Sequence, residues 1–136
     1  MSLRWQAALL DPSMAGGCAV VHCRQQFLLD GNGALFPRDW LKRLDLPLLS
    51  EQGLGHFDGE PVFLFELDFP ADVPGARWQG LRQFMQENDR DLFRLLGYAT
   101  QIGTWVSQHR FCGSCGSPMQ ARAGERAMYC PACGVQ

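Results

Sequence analysis

Four cysteines in the pattern C-x2-C-x14-C-x2-C, at Cys112, Cys115, Cys130 and Cys133, constrain this chain more than any other feature. Two residues between paired cysteines let both sulfurs bend onto one ion within a tight loop. The longer spacer is enough for a short β-hairpin that returns the chain to the same ion. Four sulfurs at about 2.3 Å complete the tetrahedral shell of a structural Zn²⁺ site. A rubredoxin-like iron site uses similar loops and is the chemical rival. A thioredoxin-like redox centre needs one exposed pair at a helix start, which two pairs in a β-rich segment do not supply. Catalytic zinc keeps an open coordination position, and four cysteines close the shell. No HExxH or HxE…PCxxC pattern occurs. The expectation is one structural zinc per chain.

The residues around the sulfurs support this. Gly116 and Gly134 directly follow the second cysteine of each pair, and Gly113 sits inside the first. Positive φ there turns backbone N–H groups toward the thiolates. Pro131 fixes φ in the second loop. A segment this short has no core of its own, so its fold should depend on the ion.

A length of 136 residues fits about one domain plus a small appendage. Hydrophobic residues make up 46% and charged residues 19%, ordinary values for a globular protein. The net charge of −2 argues against bulk electrostatic coating of nucleic acid. The start, MSLRWQAALLDPSM, lacks the apolar run of a signal peptide, and no stretch is apolar enough to span a membrane. The expected location is cytoplasmic, where thiols stay reduced and clustered cysteines favour metal over disulfide.

Ahead of the cysteines the pattern predicts an α+β fold, with a mixed β-sheet domain over 1–109 ending in a long helix, then a small β zinc ribbon over 110–136. GGCAVVHCRQQFLLD reads as two strands around a bend near Arg24-Gln25-Gln26. Trp40, Leu41 and Leu44 suggest a short helix stopped by Pro47. GHFDGEPVFLFELD reads as a hairpin turning at Asp58-Gly59, with Val62 to Leu67 a central strand. Trp78, Leu81, Phe84 and Met85 recur at helical intervals. Asn88 and Asp91 suit the start of a longer helix, whose apolar stripe is Leu92, Leu95, Leu96, Ala99, Ile102 and Val106. Gly97 and Gly103 weaken it by about 1 kcal/mol each, which points to close packing or a kink.

Other side chains carry weaker chemical signals. His109, three residues before Cys112, reads as a helix C-terminal cap or surface residue, and His22 and His56 as structural. Cys18 and Cys23, on one strand, would lie on opposite faces roughly 16 Å apart at about 3.3 Å per residue, so they read as buried thiols. Glu66 and Asp68 share a face and read as a solvated strand end, since no third group supports a catalytic role. Gly31-Asn32-Gly33 is not a phosphate loop. Tyr98 and Trp105 lie on the helix flank, where they could pack on the ribbon or on another chain.

LFRLLGYATQIGTWVSQHRFCGSCGSPM followed by ERAMYCPACG resembles the NADH pyrophosphatases of the Nudix hydrolase superfamily, as does the Gly55–Val62 stretch. The helix-plus-ribbon combination, with Glu125, Ala127 and Met128 before Cys130, is the specific part. The resemblance implies a homodimeric enzyme that hydrolyses NADH and NAD⁺ to nicotinamide mononucleotide and AMP, in some members removing NAD caps from RNA, with Mg²⁺ or Mn²⁺. That chemistry belongs to a Nudix box, G-x5-E-x7-R-E-U-x-E-E-x-G-U with U a bulky aliphatic residue, and no R-E-x-x-E-E run exists here. The resemblance thus carries over the four zinc ligands and no catalytic residue. It implies a bracing and dimerising portion of the enzyme, cut before the catalytic domain. The alternative is a stand-alone ribbon that binds nucleic acid or protein, kept open by Arg110, Arg122 and Arg126.

Overall fold

Two strands buried on both faces organise the molecule: β2 (Cys18–Cys23) and β6 (Glu60–Leu67). They pair in parallel, with Cys18 opposite Val62 and His22 opposite Glu66. A computed structural model describes residues 4–84, 90–111, 115–121 and 128–132. Among them, seven strands form one mixed sheet in the order β1-β5-β6-β2-β3-β7, with β4 on β2. The others are β1 (Trp5–Ala7), β3 (Gln26–Leu29), β4 (Phe36–Pro37), β5 (Leu48–Phe57) and β7 (Arg77–Gly80). The helices are α1 (Arg38–Lys42), α2 (Leu81–Phe84) and α3 (Arg90–Gln108).

The β2–β3 turn places Arg24 and Gln25 at φ of 50° and 68°, and the β5–β6 turn places Asp58 and Gly59 at 52° and 81°. Positive φ at two successive residues matches the right-handed strand twist, so both predicted hairpins form where the turn chemistry allows. α1 ends at Lys42, before Pro47 is reached. Residues 77–80 are not helical as their spacing suggested. They form edge strand β7 on β3, Trp78 opposite Leu28, and only Leu81–Phe84 is helix. Pairing with a strand edge overrides a weak local helical pattern. Met85 and Asn88 lie outside the described residues. Strand β1 was not anticipated. It is held by Trp5, buried beside Tyr98 at 5.8 Å between ring centroids. Arg4 pairs with Asp58 and holds that carboxyl below the usual range.

Alternation along β2 and β6 sorts the core into two layers. Val20, Val62 and Leu64 face Leu95, Leu96 and Ala99 of α3. Ala19, Val21, Phe63 and Phe65 face Phe36 and Leu41 on the other side. In that second layer Arg38 is fully buried. Its guanidinium lies 3.6 Å from the Phe63 ring centroid, pairs with Glu51 at 3.2 Å, and donates to the carbonyls of Pro12, Met14 and Gly16. One planar, five-donor cation thereby fastens the 12–16 loop to β5.

The two helix glycines differ. A Cβ at Gly103 would sit 2.5 Å from Glu66 Oε2 and 2.7 Å from His22 Nδ1, whereas at Gly97 nothing lies within 4 Å. Gly97→Ala should therefore stabilise by up to about 1 kcal/mol through helix propensity alone. At Gly103 the same gain is opposed by overpacking of about 1–3 kcal/mol against a buried, bonded pair. Gly103→Ala should be net destabilising, by up to about 2 kcal/mol in urea unfolding; a gain equal to that of Gly97→Ala would show that the helix does not need the close approach.

Candidate metal centre

α3 delivers the chain to the ribbon. His109 closes the helix: its N–H meets the Trp105 and Val106 carbonyls, and its Nδ1 lies 2.7 Å from the Trp105 carbonyl oxygen. This is the predicted C-terminal cap. Arg110 then donates to Asp68 Oδ1 at 3.1 Å, tying the start of the ribbon to the residue after β6. Phe111 bridges Pro118, and Met119 N–H donates to the Arg110 carbonyl at 2.7 Å, so the first cysteine loop is closed by backbone bonds. Between the cysteine pairs, β8 (Gln120–Ala121) and β9 (Met128–Tyr129) pair antiparallel, as the fourteen-residue spacer suggested.

Cys115 precedes this hairpin and Cys130 follows it, so the antiparallel pairing brings them to one end, where their sulfurs lie 3.5 Å apart. That is far beyond the ~2.05 Å of a disulfide. It is close to the edge of a tetrahedron of sulfurs about 2.3 Å from a common centre, about 3.8 Å. Gly116 has a φ of 77°, the left-handed turn expected directly after Cys115. Cys130 is fully buried and Cys115 exposed. The donor set therefore fits Zn²⁺ at the two described positions. Cys112 and Cys133 lie outside the described residues, and among those described no cluster of three metal-ligating side chains forms.

The remaining candidates fall elsewhere. Cys18 and Cys23 sit in the two opposite core layers, buried and in no disulfide, as expected. Burial, with the Glu60 carboxylate adding to it, pushes the Cys18 thiol from its usual 9.0 up to about 12. Burial and Glu66 also raise Cys23. The Gly31-Asn32-Gly33 stretch is a turn in which Asn32 N–H donates to Asp30 Oδ1 at 2.8 Å, and His56 lies within β5 opposite Gln6. The solvated reading of Glu66 and Asp68 is corrected. Asp68 is exposed, but Glu66 is only 3% exposed and lies 2.6 Å from His22 Nδ1. The parallel register that joins them spans 44 residues, and no local sequence signal marks it.

Comparison with known proteins places both parts. Residues 16–105 match the profile of the NADH pyrophosphatase-like rudimentary NUDIX domain. The chain belongs to that family. Residues 107–136 match the NADH pyrophosphatase zinc ribbon domain. The sheet is therefore itself a rudimentary NUDIX domain, where the sequence suggested only a domain that precedes one. Among similar proteins, the NAD-capped RNA hydrolase NudC of Stutzerimonas stutzeri is 91% identical over all 136 residues. Those of Pseudomonas putida strain W619 and Pseudomonas aeruginosa are 62% and 55% identical. The chain spans about half the length of these relatives, 49% of the first. Among the described residues no helix is long and apolar enough to cross a membrane.

The raised thiols generate a chemical expectation. At pH 8 a thiol with a pKa of about 12 is ionised to only about one part in ten thousand, so Cys18 should resist Ellman's reagent in the native chain and react on unfolding. The sign for stability follows. Folding favours the protonated thiol, so its contribution is complete below pH 9.0 and is lost as pH rises toward about 12. Prompt native-state labelling of Cys18 would contradict its burial.

Proposed function

We propose that this chain is the N-terminal portion of a NAD-capped RNA hydrolase, with a sheet domain over 1–109 and a zinc ribbon over 110–136 that brace the catalytic portion. One observation carries the reading: the Stutzerimonas stutzeri relative bearing that name is 91% identical throughout, and this chain corresponds to 49% of it. The whole enzyme would hydrolyse the pyrophosphate of NAD(H), free or as an RNA cap, as a cytoplasmic homodimer. Phe111 and Leu48, 58% and 47% exposed, supply apolar surface that a subunit or domain contact would cover. Mg²⁺ or Mn²⁺ serves the catalytic portion. The residues here do not fit those ions, since the acidic R-E-x-x-E-E run that would hold them does not occur.

Cys112, Cys115, Cys130 and Cys133 would hold one Zn²⁺, which fixes the ribbon fold and takes no part in bond breaking. The 3.5 Å approach of Cys115 and Cys130 and the positive φ at Gly116 support this set. A stand-alone nucleic-acid module is less well supported, because Arg110, one of its three cations, is already neutralised by Asp68.

Two measurements test the reading. Elemental analysis of freshly purified chain should find about one zinc per molecule, falling toward zero in Cys130→Ser, with loss of ribbon NMR signals and retention of the sheet. Iron, or a metal-free folded ribbon, would overturn the assignment. With Mg²⁺ or Mn²⁺, the 136-residue chain should release no nicotinamide mononucleotide from NADH or NAD-capped RNA. The same chain continued by the catalytic portion of its Stutzerimonas stutzeri relative should release it, and turnover by the short chain alone would refute the bracing role.

A further inference from the structure

A groove of about 420 Å³ lies where the sheet domain meets the ribbon. Leu49 of β5 and Val106 of α3 line it from the sheet domain, and Phe111, Pro118 and Met119 line it from the ribbon. Arg110, which also lines it, is already engaged by Asp68. The groove therefore offers apolar contact and no free charge.

Two of its residues are held there by backbone pairing. Leu49 is the extra residue in a register shift of β5 against β6, where Leu48 pairs with Leu67 and Ser50 with Glu66. A bulge of this kind turns a side chain out of the regular alternation. Phe111 is fixed by its bridge to Pro118 and by the Met119 N–H on the Arg110 carbonyl, yet it is 58% exposed. A lone exposed apolar residue needs no explanation, but a fixed ring beside an apolar groove marks a contact.

Area and position decide what covers it. A specific contact between separate chains buries roughly 800 Å² on each partner. One aromatic ring supplies about 150–250 Å², and the few smaller side chains beside Phe111 leave the groove well short of that size. A tethered partner needs less, because the chain connection has already met much of the entropy cost of association. The position suits a tether. Cys130 Sγ lies 3.5 Å from Cys115 Sγ, and Cys115 is inside the loop that the Phe111–Pro118 bridge closes. Only three residues separate Cys115 from Pro118, roughly 10 Å of chain at most. The chain running on from Cys130 therefore leaves the ribbon beside the groove. We infer that this groove is the docking site for the catalytic portion, which inserts an apolar side chain between the sheet domain and the ribbon. The inference rests on the reading above that such a portion follows, as the doubled length of the relatives supports.

The test uses the 136-residue chain continued by the catalytic portion of its Stutzerimonas stutzeri relative. In that protein, Phe111→p-benzoylphenylalanine supplies a photo-cross-linker. Illumination should join position 111 to a peptide of the catalytic portion, and the product should keep the mass of a single chain on a denaturing gel. Without the cross-linker, hydroxyl-radical oxidation of Phe111 and Met119 should fall several-fold below its rate in the 136-residue chain. Phe111→Asp should keep the NMR spectrum of the sheet and return Met119 oxidation to the short-chain rate. Leu9→Asp, at a residue 53% exposed and outside the groove, should leave Met119 protected. Turnover of NADH separates two failures. With turnover present, an unprotected Phe111, no cross-link, or a cross-link of doubled mass, which assigns the groove to a second copy, would overturn the docking site and leave the reading of the enzyme standing. Without turnover, that reading fails and the docking site with it.

Discussion

The parallel pairing of β2 with β6 is the contact on which the rest of the molecule depends. It buries both faces of both strands, so each face needs a covering layer. α3 covers one, and α1 with the loops around it covers the other. β5 joins through its hairpin with β6, and β3 through its hairpin with β2. Moving the register of this pair by one residue would swap the two layers, because side chains alternate with a period of two. The same pairing places His22 beside Glu66 at the end of the apolar stripe, where hydrocarbon gives way to a bonded polar pair beneath the helix.

That pair and Arg38 share a logic. Buried ionisable groups are tolerated when their bonding capacity is filled. Arg38 fills its capacity with three carbonyls, a carboxylate and an aromatic face. His22 fills only half of its own.

Features with short-range causes were legible in the sequence. The Asp58-Gly59 turn and the stripe of α3 each specify themselves within a few residues, and the structure places both as read, together with the hairpin between the cysteine pairs. Features set by distant partners were not. Trp78 and Leu81 have helical spacing, but the open edge of β3 captures residues 77–80 as a strand. Trp5 anchors a strand that only β5 can complete. Glu66 looked like a solvated carboxylate because nothing nearby in sequence announces His22, 44 residues away. Nothing local in the sequence sets Arg38 apart from the other Lys and Arg residues, twelve in all. Of the metal centre the ligand spacing was readable, and so was the missing Nudix box. The rudimentary NUDIX character of residues 16–105 was not, since no short motif marks it and only the match along the whole segment brings it out.

The bare face of α3 at Gly103 has a mechanical meaning as well as a steric one. A helix resting on a smooth apolar layer could slide along it with little resistance. Here the polar pair projects toward a single notch in the helix, and a slip of one turn along the axis would bring the side chain of Ala99 or Val106, on the same face, onto it. The helix is thereby indexed against the sheet like a key in its ward. Because the chain leaves the helix at Gln108 and turns at once into Arg110, that indexing fixes where the ribbon begins. The point of departure of the cysteine loops is set by the absence of one methyl group, some two helical turns upstream.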